Sequence, residues 1–275
     1  LKVIEICKNN QDKDKTEILK MLSEVEGVYV PMYPKQVQKL TKKLTECIYT
    51  PILSENSFFK ETFILEVSRG CANRCGFCLA SYLNLPLRCV PYEELIKTID
   101  LGLSYTNKIA LLGAQISAHP HFHDICRYIY EKIQSGQHIE MSVSSLRVDA
   151  ITPDVVKTLV AAGQKNSTLA IEAGSDRLRR VINKNLTEEQ IFNAVKIARD
   201  NGLKGLKFYG MIGLPTETQE DLQDIITLAE KLKKGNKGFD ISFGFSSFVP
   251  KPNTPFQWCG RESTKALEEK SNFLK

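Results

Sequence analysis

Six short apolar runs, rich in β-branched and aromatic residues, alternate along most of the chain with stretches of helical periodicity. No other feature constrains the fold as much. The runs are 63–67, 108–112, 139–143, 167–171, 205–211 and 240–245, and the helical patterns occupy 91–103, 121–135, 152–163, 187–201 and 217–234. Strands separated by helices predict a parallel sheet with right-handed crossovers. Thr152-Pro153-Asp154 and Thr187-Glu188-Glu189-Gln190 have the chemistry of helix starts, and Gly163, Gly202 and Gly235 stand where helices should stop. Periodicity does not decide whether the sheet closes or stays open. In either case its strands end on one rim, and a site is expected there.

Composition removes several alternatives. With 42% hydrophobic and 25% charged residues over 275 positions, the chain is neither disordered, collagenous nor a coiled coil. No apolar run approaches the ~20 residues of a membrane-spanning helix, and Glu5 places acid too early for a signal peptide. A net charge of +5 is spread without a basic block, so no nucleic-acid patch is evident. Eight cysteines without an export signal predict reduced thiols in the cytoplasm. Three organisational segments are expected: a connector at 1–60 packing on the barrel, a core at 61–250 and an extension at 251–275. Leu1 in place of Met, and a helical pattern still running at Lys275, suggest a piece of something longer.

Cys71, Cys75 and Cys78 lie in Ser68-Arg69-Gly70-Cys71-Ala72-Asn73-Arg74-Cys75-Gly76-Phe77-Cys78, directly after the first strand. Thiolates are soft ligands for zinc or iron–sulfur clusters. Structural zinc asks for four ligands, usually as two pairs, whereas this loop offers three and no histidine. Three thiolates on a four-iron cluster leave one iron open for chemistry. Cys7, Cys47, Cys89, Cys126 and Cys259 are scattered and read as small core residues.

The cysteine loop, with the aromatic Phe77 before its third cysteine, resembles the signature of the radical S-adenosylmethionine (SAM) superfamily. Ile171-Glu172-Ala173-Gly174-Ser175, Val181-Ile182-Asn183-Lys184, Gly213-Leu214-Pro215-Thr216-Glu217 and the segment from Phe248 to Trp258 extend the resemblance over essentially the whole chain. They are similar to uncharacterised radical SAM proteins with a cobalamin-binding-type domain, relatives of the tRNA methylthiotransferases. The resemblance implies an α/β fold, a partial, open six-stranded parallel (β/α)6 barrel. It also implies a [4Fe-4S] cluster on Cys71, Cys75 and Cys78 as the catalytic and metal-ligating residues. On that cluster SAM would be cleaved reductively to a 5′-deoxyadenosyl radical that abstracts hydrogen from a substrate the sequence does not name. A flavodoxin- or ferredoxin-type electron donor is an expected partner, and cobalamin in a domain outside these residues is another.

The cofactor's groups suggest the remaining site residues. Gly113 and Ala114, with Gln115, occupy the second strand end, where the family binds the SAM ammonium, though the usual acid is missing. Glu172 is a carboxylate ending an apolar strand, and burial would be costly without a partner. It is either a ribose ligand or half of a structural ion pair. Ser145 and Arg147 follow the third strand as candidates for ribose and carboxylate contacts. Lys184, one turn beyond Arg180 on a helical segment that also holds Arg177 and Arg179, is a further cation for the carboxylate. Phe77 and the Met211-Ile212-Gly213 stretch, Ile212 at its centre, are expected to line the adenine, unless that stretch packs in the core. His119, His121 and His123 read as helix-start polar residues or a substrate-side proton donor rather than a metal triad. The Lys251–Pro255 loop is a candidate substrate wall. A methylthiotransferase would need three further cysteines upstream, where only Cys7 and Cys47 stand. A non-catalytic iron–sulfur carrier would have no use for Glu172 or Gly113.

Overall fold

The alternation becomes six parallel strands laid side by side in chain order. In the computed structural model, which describes residues 1–144 and 146–275, β1 (Phe63–Glu66), β4 (Lys108–Leu112) and β5 (Glu140–Val143) form one parallel sheet. A second consists of β6 (Asn166–Glu172), β7 (Gly205–Ile212) and β8 (Asp240–Ser247). A parallel bridge between Leu146 and Leu169 joins the two halves. Among the described residues no pairing links β1 to β8, so the wall is a partial, open barrel. The free edge of β1 is covered by residues 48–50, where Glu66 N donates to Ile48 O (2.8 Å) and Thr50 N to Ile64 O (2.9 Å).

Helices α4 (Tyr92–Leu103), α5 (Phe122–Gln134), α6 (Pro153–Ala161), α8 (Glu188–Asp200) and α9 (Gln219–Gly235) cover the outer face. Their starts follow local chemistry. Thr152 caps α6 with Pro153 in the first turn, and Thr187 and Gln190 close a capping box on α8. Gly163 and Gly202 end their helices at φ 87° and 103°, whereas α9 runs through Gly235 and stops at Asn236. Leu65, Ile109, Leu169 and Phe208 interdigitate with Leu95, Ile125, Val155, Val195 and Leu228 in one continuous core.

The inner face differs. Along β7, Leu206, Phe208 and Ile212 are buried toward the helices, while Lys207 and Tyr209 are exposed on the concave side. The concave side is therefore a chamber lined by side chains rather than a packed interior.

The chain divides into two units, Leu1–Lys43 and Leu44–Lys275. The smaller holds α1 (Lys2–Asn9), which sequence reading did not anticipate, and α2 (Lys15–Ser23), started by the Asp14 carboxylate accepting from Thr16 N. The division falls after Lys43; beyond it residues 48–50 pair with β1, and Leu44, Cys47 and Leu53 pack on the core.

Candidate functional site

The cysteine loop leaves β1 through a two-residue antiparallel hairpin, β2 (Ser68–Arg69) with β3 (Arg88–Cys89), and contains α3 (Leu79–Leu83), which begins directly after Cys78. Gly70, at φ 92°, closes the hairpin. A Cβ there would stand 2.3 Å from Asn84 O, so only glycine fits without moving the backbone.

Distant segments hold the loop in place. Gly76 N donates to Ile182 O (2.9 Å), and Gly76 O accepts from Phe256 N (3.1 Å). Asn183 Nδ2 donates to Asn73 O (2.9 Å) and Arg74 O (3.0 Å). Tyr82 donates its hydroxyl to Arg74 O (2.7 Å). The Val181–Lys184 motif and the segment around Phe256 thus anchor the loop, a role local sequence did not reveal. Asn183 at φ 57° carries a signal in retrospect, since asparagine tolerates that conformation.

Cys71, Cys75 and Cys78 line a cavity of about 170 Å³ on the C-terminal rim, together with Phe77, Ala114, Gln115, Arg147, Glu172 and Lys184. No eight-cysteine pairing competes for these thiols, because all the cysteines are free. Cys71 and Cys75 are buried. Cys71 donates to Gln115 Oε1 (3.2 Å), which Asn73 Nδ2 also approaches. Burial pushes the Cys75 thiol up, and the positive charge of Lys184 offsets part of that rise. Ser81 Oγ, in the cavity wall, is buried without a hydrogen-bond partner. Ser68 Oγ is likewise unpartnered, and lies 2.8 Å from where a Gly113 Cβ would be.

The candidates for SAM contacts separate into groups. Glu172 ends β6 at φ 68°, where the β6–β7 register shifts, and its Oε1 accepts from Lys184 Nζ at 3.1 Å. Their side chains are 12% and 8% exposed. The ion pair exists, yet Oε2 has no protein donor among the described residues and both groups face the cavity. Arg147 is fixed by a two-pronged contact with Asp149 (2.9 Å each), leaving Nη1 without a protein acceptor among the described residues. Phe77, Ala114 and Gln115 are in the wall, while Gly113 sits behind it against Ser68. Ser145 lies outside the described residues.

Three expectations need correction. Ile212 does not turn its side chain to this cavity. It packs with Leu222, Ile225 and Leu267 on the helix side of the sheet, as strand alternation from the inward-facing Met211 requires. Lys184 does not share a helical face with Arg180, because α7 (Asp176–Val181) ends first and the chain turns back through Asn183. Nor are Arg177 and Arg179 of α7 free for a cofactor. Arg177 binds Asp221, and Arg179, fully buried, donates to Ala173 O, Gly174 O and Leu186 O (2.8 Å each). Arg179 therefore fixes the turn that follows Glu172.

Of the histidines after β4, His119 is held in the structure. Buried His119 donates Nε2–H to Val90 O (2.8 Å), and its Nδ1 accepts from His121 N (3.0 Å), which defines a neutral tautomer. Burial holds its pKa below the ordinary histidine value. The Lys251–Pro255 loop turns on Thr254, buried and bonded to Lys251 O (2.7 Å), and delivers Phe256 against Gly76.

A partial parallel barrel with three thiols outside any disulfide, an unpartnered buried hydroxyl and a carboxylate–ammonium pair on its C-terminal rim defines a protein suited to hold a metal–sulfur group and a small polar cofactor side by side. Over residues 65–229 the chain matches the Radical SAM superfamily model, and it belongs to that family. An uncharacterised protein of Methanocaldococcus jannaschii is 36% identical over 241 residues, covering 85% of this chain and 52% of that one. The tRNA-2-methylthio-N(6)-dimethylallyladenosine synthase of Anaplasma phagocytophilum is 25% identical, covering 76% and 48%. The chain spans about half the length of these curated relatives. Among solved structures, the radical SAM methyltransferase TsrM from Kitasatospora setae, with cobalamin and a [4Fe-4S] cluster bound, shares the fold. Its TM-score is 0.58 at 16% identity, covering 70% of this chain and 38% of that one. Members of the family use a [4Fe-4S] cluster and SAM, and need a reductant. No helix among the described residues is long and apolar enough to cross a membrane.

Proposed function

We propose that this chain is the catalytic domain of a radical SAM enzyme, with Cys71, Cys75 and Cys78 holding a [4Fe-4S] cluster and SAM lying against it. The observation that carries the reading is the convergence of the three free thiols with Glu172, Lys184 and Arg147 on one cavity wall. When bound, the cluster supplies the electron that cleaves SAM to a 5′-deoxyadenosyl radical, which starts hydrogen abstraction from substrate.

The protein's own contribution is positioning. Gly70 and the anchors from Ile182, Asn183 and Phe256 keep the cysteine loop on the rim. Glu172 Oε2 is suited to accept from ribose hydroxyls, while Lys184 screens its partner's charge in a half-dry site. Arg147 Nη1 and Lys184 are the cations for the cofactor carboxylate. Phe77 and the Ala114–Gln115 backbone supply apolar and polar wall for the rest. Ser145 remains a ribose candidate on sequence grounds.

A flavodoxin- or ferredoxin-type donor and a reducing, cytoplasmic setting complete the proposal, supported by eight free cysteines. A cobalamin-binding domain elsewhere in a longer protein is the further partner we propose.

The test is anaerobic reconstitution with iron and sulfide, then reduction with SAM and assay of 5′-deoxyadenosine. Parent protein should hold about four irons and form the nucleoside. Cys71→Ala, Cys75→Ala and Cys78→Ala should lose the iron, whereas Cys89→Ala and Cys259→Ala should keep it. Glu172→Gln should bind SAM roughly tenfold or more weakly at unchanged iron content, the effect of one hydrogen bond to a charged acceptor. Zinc-loaded, iron-free protein from strictly anaerobic preparation would overturn the reading.

A further inference from the structure

Next to the cysteine cavity lies a second, larger chamber of about 570 Å³ on the concave face of β6, β7 and β8, within the size range of small-molecule sites. Ala170 and Glu172 line both cavities, so the two spaces meet at these residues. The chamber's other wall residues include Lys207, Tyr209, Met211 and Phe245.

Cross-strand register explains why the chamber is open. Tyr209 stands between Ala170 on β6 and Gly244 on β8, and neither has a side chain large enough to cover its ring. The phenol is 44% exposed. Lys207 stands between Thr168 and Ser242, which bring hydroxyls but no counter-charge. Its side chain leans across Gly244, where a Cβ would come within 3.2 Å of Lys207 Cε, and its ammonium lies 5.0 Å from the Tyr209 ring centroid. No Asp or Glu among the described residues is within ion-pair distance of Lys207, and Glu172 is already neutralised by Lys184. Lys207 thus points inward over the Tyr209 ring, in a wall cleared by Gly244 and Ala170, with its charge unmatched by any carboxylate among the described residues.

Resting on the radical SAM reading above, we propose that this chamber is the substrate site and that the substrate is a small organic anion. Its carboxylate or phosphate is held by Lys207, and a flat, unsaturated or apolar body lies against Tyr209. The end of that body farthest from the anion then points to Glu172 and Met211, beside the cofactor cavity where a hydrogen atom would be removed. Lys207 and Tyr209 set specificity by charge and shape, and take no part in holding iron or SAM.

The test uses the full chain and three probes: benzoate, phenyl phosphate and benzamide, the last a neutral isostere of benzoate. Binding is followed by ligand-observed nuclear magnetic resonance. At least one anion should bind about tenfold tighter than benzamide, and the tighter of the two identifies the head group. Lys207→Gln should erase that preference and Lys207→Arg restore it. Tyr209→Phe should bind as the parent does, and Tyr209→Ser should weaken all three probes. Iron content and SAM affinity should match the parent in every variant. Equal binding of benzamide and the anions by the parent, an anion preference that survives Lys207→Gln, or no binding of any probe would each overturn the proposal. Failure of the radical SAM reading has a separate signature, since a parent chain that takes up no iron leaves the probe titrations readable.

Discussion

Replacing Gly70 by alanine tests whether hairpin geometry positions the cysteines. Two costs are separable. The first is conformational: an alanine held at φ 92° is strained by about 1–2 kcal/mol. The second is steric, since the new Cβ would sit 2.3 Å from Asn84 O and 3.0 Å from Pro86 O, both backbone atoms. Relieving such an overlap costs roughly a further 1–3 kcal/mol, giving about 2–5 kcal/mol together. Gly136 provides the control. Its φ is 99°, yet nothing lies within 4 Å of its ideal Cβ. Gly136→Ala should therefore show the conformational cost alone, about 1–2 kcal/mol. Urea denaturation of the parent and both variants measures the difference, and iron content after reconstitution reads the consequence at the site. Gly70→Ala should be the less stable variant and hold less iron, because relief of the overlap must spread the hairpin whose loop carries Cys71, Cys75 and Cys78. If Gly70→Ala is no less stable than Gly136→Ala and takes up as much iron as the parent, the hairpin does not set the geometry of the loop.

Other outcomes follow from buried polar groups. Burial pushes the Asp221 carboxyl up, but hydrogen bonds from Arg177, Ser175 and Thr218 N outweigh it and hold the pKa below the usual aspartate value. Its stabilisation is therefore complete above the unfolded pKa near 4 and lost as pH falls through the folded value, so Asp221→Asn should flatten the acid limb of a stability–pH curve. His119 has its pKa held down by burial, so the unfolded chain takes up the proton more readily. Stability should fall as pH drops below about 6.5, and His119→Gln should remove that component. Cys126, with its thiol pushed up to about 12 by burial, should resist alkylation at pH 8 in the folded protein and react once urea unfolds it.

What the sequence determined by itself is the set of properties written in neighbouring residues. Strand and helix periods, the Thr152 and Thr187 caps and the stops at Gly163 and Gly202 depend on contacts within a few positions, and each has its counterpart in the structure. The cysteine loop was legible for the same reason. Its three thiols are close in the chain, and parallel strands put Glu172 and Arg147 on the same rim. The rest depended on which segments meet. Helical spacing grouped Lys184 with Arg180, but α7 stops at Val181, and the ammonium finds the carboxylate of Glu172 instead. Ile212 turned away because alternation gives one face of β7 to the helices and the other to the chamber, and sequence alone did not say which residue of the pair faced inward. Arg179 stood in the sequence only as one more cation of the segment before Lys184, and in the fold three carbonyls of the chain around the β6–α7 turn surround it. Lys207 and Tyr209 gave no signal at all. Their meaning rests on Ala170 and Gly244, tens of residues away, being small at the register positions beside them, and register between distant strands is fixed only when the whole sheet assembles.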